Sequence, residues 1–362
     1  MVKKNTERKG MHLRKGILFL AFFILFLTEV SQATTYIAVE EPELNGAVVL
    51  VADLDGQGQL SMLVGQGHNV FAFDGAVKVA LINDIPGQIS ALAIGDLNGD
   101  LRDDLVVGTD SGGALYFYAE KDGVWQRQGQ PQYLWDRIRH LEVHDFNNDG
   151  WGDLLVLTEQ GVLQALLSSE GRLYPFWKSP SDEMVVGIEV LDVDHNGYLE
   201  IVYTLHSGYI GILTWDDQEF GIMWENFPWG FVESLVVLPH EESPEWLVVT
   251  SQKMLYGWRW RNDEVVSSRL FQGNELGEHL LYFPQEGLLS FSQKTGISLF
   301  ELESNSVNEK WRVPRLFGDR AFRYGGEFYF RDKSKAYYRL TQGGSLWRVF
   351  VHDQEVTELV TV

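Results

Sequence analysis

Three short segments of this chain place oxygen-bearing side chains at alternate positions. The first carries Asp96, Asn98, Asp100 and Asp104; the second Asp145, Asn147, Asp149 and Asp153; the third Asp192, Asp194, Asn196 and Glu200. Counted as nine positions, each loop has its side-chain oxygens at positions 1, 3, 5 and 9, and position 7 can add a backbone carbonyl. Alternate side chains of a tight loop converge on one point. Three carboxylates and one amide, with no sulfur or imidazole, suit a hard cation that takes about six to eight oxygens, and calcium is that cation. Gly150 and Gly197 at position 6 fit a sharp turn with positive φ, whereas Leu101 stands there in the first of the three loops. An Asp/Asn/Gly run is by itself a good hairpin turn, so the metal reading rests on three loops sharing one spacing. A fourth segment, Asp53 and Asp55, continues with Gln57, Gln59 and Ser61 and is expected to bind weakly or not at all.

These loops need elements to hold them, and the chain supplies them periodically. Asp53, Asp96, Asp145 and Asp192 are 43, 49 and 47 residues apart. Each is preceded by alternating apolar residues, such as Leu92/Ile94 and Leu141/Val143. Each is followed by a β-rich run such as Leu105-Val106-Val107 or Ile201-Val202-Tyr203, then by a glycine-containing turn and another strand. A more polar strand closes the unit, often with a tryptophan: Trp125, Trp177 or Trp224. Period-two runs bounded by Gly/Asn/Asp turns read as strands, and four strands per repeat is the arithmetic of a propeller blade. Fainter repeats follow at Leu235–Thr250, His279–Phe291 and Ala321–Phe330. The expected fold is all-β, a seven-bladed β-propeller of four-stranded antiparallel blades, with six or eight blades as the alternatives. Thr35–Val39 precedes the first blade and is expected to complete the last, removing exposed edges.

The segment Asp96 to Gly108, Asp-x-Asn-x-Asp-x-x-x-Asp followed by Leu-Val-Val-Gly, resembles FG-GAP/VCBS-type repeats. Such repeats build the propeller of integrin α-subunits and many bacterial surface proteins. The resemblance is clear over residues 50–215 and periodic only over 216–362. It implies that calcium sits between the first two strands of a blade, that all such loops share one face, and that the metal is structural while ligands bind elsewhere on the disc.

The N-terminus bears on compartment. Six Lys/Arg precede the apolar run Ile17–Leu27, and Val30-Ser31-Gln32-Ala33 follows, the layout of a secretory signal peptide cleaved after Ala33. Residues 1–33 are therefore expected to be a signal peptide and 34–362 one propeller domain. Eleven apolar residues are short for a bilayer span of about 20; an uncleaved signal anchor is the alternative. The protein is expected to be exported: secreted, periplasmic or at the cell surface, with no membrane insertion after signal cleavage. Cysteine is absent, so disulfides cannot brace it. The net charge of −22 becomes −26 without the first 33 residues, which disfavours nucleic acid and anionic lipid as partners.

Other constellations are weaker. His140, Glu142 and His144 share a strand face and read as an ordinary polar face rather than a metal site. Trp224, Phe227, Trp229 and Phe231 form the densest aromatic group, with Trp258 and Trp260 close behind, read as packing between blades rather than as a sugar-stacking platform. Repeats five to seven lack the aspartate pattern, so the first half is expected to be stapled by ions and the second by aromatic packing. Arg312, Arg315, Arg320, Arg323 and Arg331 read as dispersed. No nucleophile elbow, HExxH or phosphate loop occurs, and no catalytic residue is assigned. The expected function is non-catalytic: a calcium-stabilised binding or scaffold module for a protein or glycan at the cell envelope or surface. The alternative is a calcium-dependent hydrolase or lyase acting on polysaccharide or phosphate ester.

Overall fold

A computed structural model describes residues 35–361 apart from 41–43, 45, 55–57, 75–76, 170–171, 181, 217, 229, 239–243, 273–275, 284–285, 295, 304–305, 315–317, 325–326, 333, 344–346 and 353–354, with only the backbone course at 35–40, 74, 77, 271–272, 319 and 341–361. The expected signal peptide lies outside the described residues.

After β1 (Thr35–Glu40), the strands fall into consecutive antiparallel groups of four. Blade 1 is β2–β5 (Val48–Asp53, Leu60–Gln66, Asn69–Asp74, Val77–Ile82). Blade 2 is β6–β9 (Ile89–Gly95, Asp104–Thr109, Ala114–Lys121, Val124–Tyr133). Blade 3 is β10–β13 (Ile138–His144, Asp153–Thr158, Leu163–Ser169, Arg172–Lys178), and blade 4 is β14–β17 (Val185–Leu191, Glu200–Leu205, Ile210–Trp215, Phe220–Asn226). Blade 5 is β18–β21 (Val232–Leu238, Glu245–Thr250, Met254–Arg261, Glu264–Gln272). Blade 6 is β22–β25 (His279–Phe283, Gly287–Ser292, Gly296–Leu302, Val307–Val313). Blade 7 joins β26–β28 (Gly318–Tyr324, Glu327–Asp332, Tyr337–Gly343) to β1, which pairs antiparallel with β28 from Thr35↔Gly343 to Glu40↔Tyr338. The ring is closed by the strand expected to close it. β29 (Trp347–His352) and β30 (Glu355–Thr361) pair only with each other, and β29 approaches β1.

First strands of neighbouring blades meet and line the central channel, as β6 does with β2 and β10. Second strands are sealed on both faces: every residue of β7, β11, β15 and β19 is buried. Fourth strands such as β9 and β13 face solvent, which explains their polar sequences. The apolar side chains pack between blades. Successive clusters join blades 1 and 2 through Leu63 and Ile89, 2 and 3 through Val106 and Ile138, and 3 and 4 through Leu155 and Tyr203. The series continues through Trp246, Leu288 and Phe328, and Tyr337 against Met62 closes it between blades 7 and 1. Each blade thus buries both faces against its neighbours, as a repeat that cannot fold alone must.

Candidate metal loops and the buried acid beside them

The connection from first to second strand carries the acidic loop in blades 2, 3 and 4, so all three loops lie on one face of the disc. Their wiring is the same. The position-1 carboxylate accepts backbone N–H groups from across the turn: Asp96 from Gly99 (2.7 Å) and Leu101 (2.7 Å), Asp145 from Asp149 (3.2 Å) and Gly150 (2.9 Å), and Asp192 from Asn196 (3.1 Å) and Gly197 (3.0 Å). Position 3 accepts from the position-5 N–H in each loop: Asn98 from Asp100, Asn147 from Asp149, Asp194 from Asn196. Position 5 accepts from position 7: Asp100 from Arg102, Asp149 from Trp151, Asn196 from Tyr198. These nested Asx turns fix the side chains that the spacing singled out.

Positions 4 and 6 both take positive φ: Gly99 and Leu101 (74° and 64°), Asn148 and Gly150 (55° and 87°), His195 and Gly197 (60° and 90°). Leu101 therefore adopts the glycine conformation. Its side chain is 91% exposed and clashes with nothing, so the cost is backbone strain alone. Neighbouring loops are also tied together, by Gly152 N–H to Asp96 O (2.6 Å) and by Asn148 Nδ2 to Gly197 O (3.1 Å).

Position 9 opens the second strand, and its acid is buried. Asp104, Asp153 and Glu200 each accept the N–H of position 2: Leu97 (3.2 Å), Phe146 (3.1 Å) and Val193 (2.8 Å). Burial, together with neighbouring carboxylates, outweighs these bonds. It pushes Asp104 up to about 6 and Asp153 and Glu200 up to about 7. Among the described residues no cation pairs with these three carboxylates. Asp192, Asp194 and Glu200 bring ligand oxygens within 4.8 Å of one another, an all-oxygen set that fits a hard divalent ion. In each loop an amide nitrogen sits against a carboxylate: Asn98 against Asp104, Asn147 against Asp149, Asn196 against Asp194.

Sequence reasoning missed one residue of this pattern. Glu245 opens β19 just as Asp104, Asp153 and Glu200 open their strands, and its side chain is fully buried. Here the charge is answered by protein: Arg269 Nε at 2.8 Å, Arg259 Nη2 at 3.0 Å and Ser268 Oγ at 2.6 Å. Burial favours the neutral acid, but these bonds outweigh it and hold Glu245 below its ordinary value. The available signal was its spacing, 45 residues after Glu200. In blade 1 the equivalent position is half-buried Ser61, paired with Ala52 as Asp104 is with Gly95, so that loop has no acid there; Asp55 and Gln57 lie outside the described residues.

The channel holds a second polar group. Glu142 lies between His140 Nε2 (2.6 Å) and His144 Nε2 (3.0 Å). Burial would raise it, yet the two imidazoles bring it down to about 2. Glu189 on the next inner strand is pushed up to about 8 by burial, with the Glu142 charge adding to the effect. Arg320 reaches across the channel from β26 and donates to Arg139 O (2.9 Å).

The aromatic group divides. Trp224 packs edge-on against Trp246 and Trp258 between blades 4 and 5, with Trp260 beside them. Phe227 and Phe231 are instead 69% and 55% exposed, and Trp229 lies outside the described residues.

Comparison with known proteins agrees with this architecture. The FG-GAP-like repeat family matches twice, over residues 96–156 and 145–203, each match running from one acidic loop into the second strand of the following blade. No curated protein matches by sequence. Among solved structures, the Myceliophteria thermophila Cps50 (Swd1) β-propeller domain is 13% identical with a TM-score of 0.53, covering 83% of this chain and 99% of its own. BBS1N, solved in complex with ARL6DN, is similar at 14% identity and a TM-score of 0.56, covering 86% of this chain and 98% of its own. At such identity these likenesses concern the fold. The chain is a seven-bladed β-propeller that carries FG-GAP-like repeats in its second to fourth blades.

Proposed function

We propose that this protein is an exported, calcium-stabilised propeller acting as a non-catalytic binding or scaffold module for a protein or glycan at the cell envelope or surface. One observation carries the metal part. Three loops with the same backbone wiring hold buried carboxylates that pair with no cation among the described residues, whereas the equivalent Glu245 has arginines in that place. Calcium held by the loop residues of blades 2–4 would supply the missing charge and brace loops that already bond to each other. Export is supported by the layout of residues 1–33. The module reading is supported by the fold and by BBS1N, a similar propeller solved with a protein partner. The test is a pull-down from the native envelope with and without calcium, alongside mass spectrometry of the mature N-terminus. A specific, calcium-dependent partner and cleavage after Ala33 are expected. A cytoplasmic, uncleaved chain that captures nothing would overturn the reading.

The enzyme alternative draws on the channel, where His140, Glu142, His144 and Glu189 converge. Against it, Glu142 is saturated by both imidazoles. The described late arginines are dispersed: Arg312 bonds Glu309, Arg323 pairs with Glu286 at 3.3 Å and Arg320 donates to Arg139 O, while Arg315 lies outside the described residues.

A further inference from the structure

The face opposite the acidic loops carries the turns between second and third strands and the blade-to-blade connections. Trp135 stands there between β9 and β10, 82% exposed and at φ 63°. It is pinned by its N–H to Gly112 O (2.9 Å) and stacked on exposed Tyr133 at 5.5 Å. A bulky residue in the left-handed region is a genuine outlier, and strain of this kind concentrates at functional sites. Trp135 pays for both strain and exposure and gains no burial within this chain. Further round the same face, exposed Phe231 stacks flat on His206 at 5.1 Å, and exposed Phe227 meets Tyr209 at 5.1 Å. Met184, also exposed, accepts the His206 N–H through its carbonyl (2.8 Å), joining the connection before blade 4 to the turn within it. The same connections and turns carry exposed Glu159 and Asp182, with Asp136 accepting the Gln160 N–H, Glu183 the Ser207 hydroxyl and Glu225 the Tyr209 hydroxyl. Among the described residues of this arc, Arg137 and Lys178 are exposed cations, while Lys253 is held by Glu233 (2.9 Å) and Glu278 (3.8 Å).

We infer that this arc, from Trp135 through Met184 to Phe231, docks a basic, extended peptide segment of a partner protein. The inference rests on the binding-module reading and adds to it the face and the chemistry of the ligand. Charge complementarity selects the occupant. Ring faces attract Lys and Arg side chains, the carboxylates of this arc pair with the same groups, and a chain at −22 steers cations towards itself. Phosphorylated or acidic segments are repelled. A neutral glycan would use the rings and leave the acids idle.

The test uses the full chain in calcium buffer and three fluorescent 15-residue peptides sharing the same apolar residues: one Lys/Arg-rich, one neutral and one Glu-rich. A neutral oligosaccharide, cellohexaose, is the fourth probe. The basic peptide is expected to bind, and to bind several-fold more weakly when salt rises from 50 to 200 mM. Trp135→Ala and Phe231→Ala should each weaken it tenfold or more, as aromatic anchors do. Glu159→Lys with Asp182→Lys should weaken it several-fold, and Leu60→Ala on the opposite face should leave it unchanged. Trp135→Gly supplies a fold-independent check, since it should abolish binding while holding or raising the melting temperature. Equal binding of the three peptides, cellohexaose binding at the rings, or unaltered affinity in the Trp135 and Phe231 variants would each overturn the inference. The envelope pull-down separates the two readings. Capture of nothing by the wild type sinks the module reading, whereas capture retained by the Trp135→Ala, Phe231→Ala double variant leaves the module and removes this face.

Discussion

Leu101 and Glu245 show how one repeat pattern tolerates substitution at single positions. Leu101 holds the left-handed conformation that glycine holds in the next two loops, and its exposed side chain contributes no packing. Leu101→Gly should therefore stabilise the protein by about 1 kcal/mol, the relief of positive-φ strain, read as a higher melting temperature. Glu245→Ala is expected to act the other way and strongly. Removing one partner of a buried pair leaves Arg269 and Arg259 uncompensated, at a cost of about 3–5 kcal/mol. That loss should be the same with calcium and with chelator, because the cation in blade 5 is part of the chain. The loop residues were legible in the sequence because their spacing is local and repeated. Glu245 was not, because the arginines and serine that answer it come from β20 and β21, and nothing near Glu245 signals them. Leu101 departs from the glycine pattern in size, which matters little where the side chain meets only solvent.

Two elements govern how the blades hold together. β1 supplies the outer strand of blade 7, and its alternating apolar residues ahead of the first blade made that role legible in the sequence. Deleting residues 35–40 should bare the edge of β28, lower the melting temperature and cause concentration-dependent association, measurable by light scattering. Inner strands are the second case. Glu189 on β14 keeps its proton up to about pH 8, while the unfolded chain releases it near 4.5. Its contribution is therefore fully favourable below pH 4.5 and declines as pH rises through 8. Glu189→Gln should be worth on the order of 2–4 kcal/mol more at pH 8.5 than at pH 5, relative to wild type; an equal effect at both would contradict the burial of this carboxyl. The sequence could not single out Glu189, because the first strands of faint and clear repeats alike mix polar residues with apolar ones. It also could not divide Trp224 from Phe227. Both lie in one aromatic run, and only the end of β17 separates the packed ring from the exposed one.

At the scale of the whole molecule, closure is distributed unevenly. Most of the largest fully buried aromatics, Trp246, Phe291, Phe300, Phe330 and Tyr337, belong to blades 5–7, whereas the acidic loops belong to blades 2–4. Period and strand alternation made the seven blades legible even where the loops had degenerated, because inter-blade packing imposes them on every repeat. On the proposed reading, blades 5–7 rely on rings and on the Glu245 cluster with Arg259 and Arg269, and blades 2–4 on loops whose carboxylates a calcium ion would balance. The most direct test of this division is the melting temperature of the full chain with chelator and with saturating calcium, for wild type and for Asp149→Ala combined with Asp192→Ala. Occupation at a hundred times the dissociation constant is worth about 2.7 kcal/mol per site. Chelation should lower the wild-type melt by several degrees and calcium should restore it, with most of that response gone in the double variant. A wild-type melt that chelation leaves unchanged would contradict the account.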